Sequence, residues 1–181
     1  MMNMKKRCAA ICLCVVLTLA LSACGMFQSD AAAPEDSGVI TPVDGYAEGQ
    51  LEDVLRTAFF DFSVNSAYTC QELDAYTAPD GTQLLVAEIT VQNTSDYDMP
   101  MFDSDFQAQW GGTGDDDYSL PISRPFTDNQ APASYSIPVD ESVTYTHVYE
   151  VPADATEFSI SFQEYFEDET MGDVFFVYFT L

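Results

Sequence analysis

Residues 84–96, Leu-Leu-Val-Ala-Glu-Ile-Thr-Val-Gln-Asn-Thr-Ser-Asp, constrain this chain more than any other stretch. Leu85, Ala87, Ile89 and Val91 fall on one face of an extended backbone, with Glu88, Thr90 and Gln92 on the other. A period of two over a β-branched run marks a half-buried strand. Asn93, Thr94, Ser95 and Asp96 then stop it with side chains that favour turns. Such a strand belongs in the middle of an antiparallel sheet, and the rest of the chain must supply its neighbours.

Those neighbours are legible from residue 51 onward. Residues 54–57 form a short strand, and Ala58, Phe60, Phe62 and Val64 alternate with Phe59, Asp61, Ser63 and Asn65 in a second. Pro79-Asp80-Gly81-Thr82 has the chemistry of a turn, Pro fixing φ and Gly accepting φ > 0. Residues 99–110 predict one strand with Phe106, Ala108 and Trp110 on one face, and Tyr118, Leu120 and Ile122 a short one. Residues 123–141 hold Pro125, Pro132 and Pro138 and predict a long connection. Val143, Tyr145, His147, Tyr149 and Val151 alternate, as do Phe158, Ile160 and Phe162. Residues 174–181 are almost continuously apolar, which suits a strand buried on both faces. No long helical period interrupts this series. The expectation is an all-β, antiparallel β-sandwich of about 7–9 strands. Its core should include Phe60, Phe62, Leu85, Ile89, Val91, Phe106, Trp110, Val143, Ile160 and Phe162.

The N-terminal third has a different character. Lys5, Lys6 and Arg7 precede an apolar run, residues 8–21, too short to span a bilayer comfortably. That is the layout of a secretory signal peptide. The run ends in Leu21-Ser22-Ala23-Cys24, which resembles the lipobox of bacterial lipoproteins. The resemblance implies cleavage before Cys24 and a diacylglyceryl group on its sulfur. Two acyl chains, at ~0.8 kcal/mol per buried CH₂, anchor a protein stably where one does not. The expected organisation is a signal peptide over residues 1–23, lipidated Cys24 with a disordered acidic spacer over residues 24–50, and the sandwich over residues 51–181. As a random coil the spacer would hold the domain about 30 Å from the anchor. The address is the extracellular face of the cell membrane, with the membrane itself a partner through Cys24.

Charge and cysteine usage agree with that address. The chain carries 30 acidic residues against five basic ones, and loss of residues 1–23 leaves Arg56 and Arg124 as the basic complement. Such a surface repels nucleic acid and anionic head groups and attracts cations and basic partners. Cys70 is the one cysteine left in the domain, so no internal disulfide can form.

The strand signatures carry a further resemblance. Residues 85–95, then Phe106, then Asp140-Glu141-Ser142-Val143-Thr144 leading into Val148-Tyr149-Glu150-Val151-Pro152, occur in that order. This resembles the telokin-like, immunoglobulin-like domain of uncharacterised Gram-positive surface lipoproteins, over roughly residues 50–181. The family pattern has Gly where this chain has Asp140. The Cys–Trp–Cys core of immunoglobulin domains is absent, since Cys70 and Trp110 have no second cysteine. The resemblance implies an immunoglobulin-like sandwich and transfers no catalytic residue.

Function is less legible. His147, the single histidine, shares a strand face with Tyr145, Tyr149 and Val151 and reads as a packed or edge histidine rather than a base. No nucleophile elbow, His/Cys zinc set or phosphate-binding glycine pattern accompanies it. Cys70 reads as a small apolar residue. The expectation is a non-enzyme.

Two acidic groups, Asp103 with Asp105 and Asp115-Asp116-Asp117 beside a glycine loop, are solvated loops by default and a calcium site in the alternative. Glu164, Glu167, Asp168 and Glu169 read as a solvated acidic turn. Tyr118, Phe126 and Tyr135, in or beside the Pro-rich connection, are candidate partner-binding rings or a cover for the core's end. Two functions follow: a surface-tethered binding or accessory module for a protein or a cationic ligand, and a calcium-responsive structural domain.

Overall fold

The computed structural model describes residues 38–111 and 117–181. In chain order the strands are β1 (Val39–Ile40), β2 (Tyr46–Gln50), β3 (Val54–Arg56), β4 (Phe60–Cys70), β5 (Glu72–Leu73), β6 (Tyr76–Thr77) and β7 (Thr82–Asn93). They continue as β8 (Met99–Phe102), β9 (Gln107–Trp110), β10 (Tyr118–Ser119), β11 (Ser134–Ile137), β12 (Ser142–Pro152), β13 (Glu157–Tyr165) and β14 (Met171–Thr180). Two five-stranded sheets form the sandwich, one ordered β1-β3-β4-β7-β12 and the other β10-β9-β13-β14-β2. Strands of two or three residues carry no periodic signal, which is why the count exceeds the expected 7–9.

The organising strand β7 lies between β4 and β12, antiparallel to both. Leu85, Ala87, Ile89 and Val91 enter the core as their alternation requires. Asn65 interrupts the β4 register as a bulge and donates from its amide to Thr90 Oγ1 at 2.8 Å. Across the core, Phe60 meets Phe162 edge-on at 4.8 Å and Phe62 meets Phe106 at 5.3 Å. Trp110 and Val143, expected in the core, pack against it partly buried, and the other expected core residues are buried in it.

Several expectations need correction. The sheets are mixed rather than wholly antiparallel, because β1 pairs with β3 and β2 with β14 in parallel. The acidic spacer does not extend to residue 50, since β1 and β2 are sheet edges. The signal was weak because the inward residues of β2 are Ala47 and Gly49. A Cβ on Gly49 would sit 2.7 Å from Leu55 Cδ1, so any larger residue there would have to displace the buried Leu55 side chain. The predicted strand over residues 99–110 breaks at a 3-10 turn, Asp103–Asp105, where Asp105 Oδ2 accepts the Phe102 amide at 2.8 Å. β8 then pairs with β11, inside the connection expected to be irregular, and this ribbon adds Met99, Met101 and Ile137 to the core.

The chain also closes the open sides of the sandwich. The expected strand at residues 118–122 pairs with β9 only over Tyr118 and Ser119. The segment then crosses to the first sheet, where the Ile122 amide donates to Val148 O at 2.8 Å. Farther on, the Thr146 amide donates to Asn129 O at 2.8 Å and the Ala131 amide to Thr146 O at 2.9 Å, covering the β12 edge. Covered edges of this kind prevent strand addition. Asp140, where the family pattern has Gly, adopts φ of +62°, so the turn keeps the left-handed backbone with a side chain that tolerates it.

β14 is not buried on both faces. Phe175 and Val177 point into the core, while Tyr178 is 44% exposed. The first sheet, by contrast, is covered on part of its outer side: Leu84, Val86 and Val148 lie beneath Ala78, Tyr76, Ile122 and Phe126. Among the described residues no apolar cluster of that kind lies over the outer side of the second sheet.

Candidate binding groove on the second sheet

Period-two alternation decides what the second sheet shows outward. In β13, Phe158, Ile160 and Phe162 are core, so Glu157, Ser159, Ser161 and Gln163 face out. In β9, Ala108 is core, so Gln107 and Gln109 face out. In β14, Phe175 and Val177 are core, so Phe176 and Tyr178 face out. The register then aligns these residues across the strands. Ser159 lies opposite Gln109 on one side and Tyr178 on the other, and Ser161 opposite Gln107 and Phe176. The next strands extend both rows, with Tyr118 beside Gln109, Gln50 beside Tyr178 and Glu48 beside Phe176.

Side-chain size turns these rows into a groove. Ser159 and Ser161 are small and only 5% and 7% exposed, so the row of Gln107 and Gln109 and the row of Phe176 and Tyr178 close over β13 and leave a groove too shallow for solvent to reach its floor. Phe176 and Tyr178 stand with ring centroids 5.7 Å apart and planes at 17°. At Glu157 the floor runs into a cleft of about 530 Å³ lined by Gln50, Leu51, Glu157, Phe158, Tyr178, Phe179 and Thr180. Burial, then the neighbouring Glu48 carboxylate, raise the Tyr178 hydroxyl above its ordinary pKa and keep it a neutral donor. Neither row carries a cation: Arg56 lies in β3, bound to Asp61 at 2.8 Å, and Arg124 in the connection before β11.

A match to the family described as domain of unknown function (DUF4352) covers residues 49–171. The chain belongs to this family. Among solved structures, the ycdA protein of Bacillus subtilis, for which a lipoprotein nature has been proposed, is similar at 12% identity and a TM-score of 0.55. That similarity covers 70% of this chain but 38% of the other, so this chain spans well under half of that protein. The yjhA protein of Bacillus subtilis is similar at 15% identity and a TM-score of 0.51, over 63% of this chain and 81% of the other. At these identities the likeness is one of fold. No match was found among curated proteins.

The residues expected to act are placed unevenly in and around this DUF4352 domain. Cys24, Asp115 and Asp116 lie outside the described residues. Asp103 is 4% exposed, with Oδ2 lacking a hydrogen-bond partner, and Asp105 caps the 3-10 turn. Burial raises the Asp105 pKa, with the Phe102 amide opposing. No group of three or more His, Cys, Asp or Glu side chains that could hold a metal occurs among the described residues, Asp117 included.

The three candidate rings do not form one surface. Phe126 stacks on Tyr76 at 4.9 Å in the outer cluster of the first sheet, and Tyr135 meets Tyr145 edge-on at 5.0 Å against the main core. Both are packing residues. Tyr118, 48% exposed, stands at the β10 end of the Gln109–Ser159–Tyr178 row.

His147 is 1% exposed, with neither ring nitrogen hydrogen-bonded, edge-on to Phe106 at 5.6 Å. Burial lowers its pKa to about 4, so the ring is neutral. Burial also raises the Cys70 pKa, keeping a thiol that packs beside Leu84 and Val86. Glu164 is not a solvated turn residue: it is 3% exposed and its carboxylate accepts two backbone amides. The groove itself was missed, because its walls come from strands whose adjacency no local pattern states. The alternations Gln107-Ala108-Gln109 and Ser159-Ile160-Ser161 were its available signal.

Proposed function

We propose that this protein is a surface lipoprotein of a Gram-positive cell, anchored through a diacylated Cys24, whose telokin-like, immunoglobulin-like domain is a non-catalytic binding module. Its ligand is cationic and lies in the cleft where the β13 groove ends at Glu157. The lipobox at Leu21-Ser22-Ala23-Cys24 supports the anchor, and the lipoprotein nature proposed for the ycdA relative is consistent with it. The observation that carries the binding reading is the cleft of about 530 Å³ at the end of that groove, lined by Gln50, Glu157 and Tyr178, with Glu48 on the adjoining strand. A non-catalytic role accords with His147, neutral and sealed between Phe106 and Tyr149.

The test compares the full-length protein with two pairs of charge-neutralising changes, using a short oligolysine as the cation. Glu48→Gln with Glu157→Gln should weaken binding more than Asp96→Asn with Asp128→Asn, which removes equal charge elsewhere. Equal weakening would mean that net charge alone attracts the cation, and the cleft reading would fall.

A further inference from the structure

The apolar cover on the first sheet is not continuous, and beside it lies a second cavity, a notch of about 220 Å³. Its apolar side comes from Leu73 and Val86, which belong to that cover, and from the Tyr68 ring. Register sets its polar side. Ser66 of β4 and Thr146 of β12 lie directly opposite Glu88 of β7, and Thr127 enters from the connection before β11. Glu88 is half-buried, and its Oε1 accepts the Asn65 side-chain amide at 3.2 Å. That bond orients the carboxylate and leaves Oε2 for a ligand. Neither Arg56 nor Arg124 lines the notch.

These groups select a ligand by size, sign and donor count. Pockets for drug-sized ligands hold roughly 300–1,000 Å³, so this one suits a single small group. The Glu88 carboxylate opposes an anion and complements a cation. Among cations, a primary ammonium has three N–H donors and no acceptor, which a carboxylate oxygen and two neighbouring hydroxyls can pair in full. A guanidinium spreads five donors in a plane and a quaternary ammonium has none, so neither matches. The apolar side is left for an alkyl stem.

We propose that this notch binds a primary alkylammonium, its nitrogen on Glu88, Ser66 and Thr146 and its stem against Leu73, Val86 and Tyr68. A free small amine and a lysine side chain of another protein share this chemistry. The site is separate from the cleft at Glu157, which is larger, has Glu48 on the adjoining strand and suits a ligand with several charges.

Amide shift titrations of the full-length protein with n-butylamine, methylamine and tetramethylammonium at matched ionic strength test this. Butylamine should give saturable shifts at Ser66, Glu88, Thr127 and Thr146. Methylamine, which lacks the stem, and tetramethylammonium, which lacks N–H donors, should each bind about tenfold more weakly. Glu88→Gln should weaken butylamine about tenfold and Thr146→Val by less, while Glu157→Gln should leave it unchanged. Thermal melts separate a lost contact from a lost fold, and a Glu88→Gln protein that fails to fold leaves Thr146→Val and the three cations to decide. A peptide with one lysine binding as tightly as butylamine would assign the notch to a partner's side chain, and its exclusion would assign it to a free amine. Equal binding of the three cations, or butylamine binding indifferent to Glu88 and Thr146, would overturn the proposal, as would butylamine shifts centred on Glu157.

Discussion

The Glu164 carboxylate accepts the Ala58 backbone amide at 2.7 Å, joining β13 of the second sheet to the turn that leads into β4 of the first. Its other oxygen accepts the Asp173 amide at 3.0 Å. At 3% exposure the charge is desolvated, and these two amides replace water. Charge-assisted bonds of this kind contribute about 1.5–3 kcal/mol each, and removal leaves both donors unpaired. Glu164→Ala should therefore destabilise by at least ~3 kcal/mol in denaturant unfolding, and Glu164→Gln, which keeps an acceptor, by less. A loss under 1 kcal/mol for the alanine variant would show that water replaces the carboxylate freely.

His147 makes stability depend on pH with a definite sign. Its pKa falls from 6.5 when exposed to about 4 in the folded protein. Between those values the unfolded chain binds the proton and the folded one does not, so stability is full above ~6.5 and declines as pH falls toward 4. The loss reaches about 3 kcal/mol and levels off below pH 4. His147→Phe should flatten this part of the unfolding free-energy profile. An unchanged slope would place its origin in other groups.

The register of β7 can be tested by two adjacent changes. Ile89 is buried between Val64 and Tyr145, and Ile89→Ala should cost ~2–5 kcal/mol. Thr90 faces outward but bonds Asn65 at 2.8 Å and Thr144 at 2.7 Å, so Thr90→Ala should cost only about 1 kcal/mol. Chemical denaturation of both variants measures the difference, and equal losses would contradict the register.

The charge predicts a response to salt that is not a site. With 30 acidic residues against five basic ones the excess carboxylates repel one another, and 0.15 M salt shortens the range of that repulsion to about 8 Å. Sodium chloride should raise the melting temperature. At matched ionic strength calcium should add nothing further. Calcium stabilisation that saturates, and disappears with Asp115→Asn and Asp117→Asn, would instead establish binding to the native state.

How much of this was legible depended on whether the cause was local. Leu85, Ala87, Ile89 and Val91 announce their face because alternation is local, and the structure buries all four. Leu84 and Val86, on the other face, are buried too, under a cover from Ala78, Ile122 and Phe126 that the strand's own residues do not encode. The break at Asp103–Asp105 is written in the sequence as a change of phase, since Asp-Ser-Asp interrupts the apolar residues and the core positions pass from Met99 and Met101 to Phe106 and Ala108. Tyr178 read as buried because its neighbours in sequence are apolar, whereas it is 44% exposed because it alternates with the core residue Val177 and points out of the sheet. The groove is non-local in the same sense: Gln109, Ser159 and Tyr178 meet only because β9, β13 and β14 are adjacent in that register.

Backbone amide shift mapping of the full-length protein, titrated with a short oligolysine, tests the central claim most directly. The account predicts saturable changes concentrated at Gln50, Glu157, Tyr178 and Thr180 around the cleft. Changes centred instead on Thr90 and Thr144, on the outer side of the first sheet, would contradict it, as would their absence.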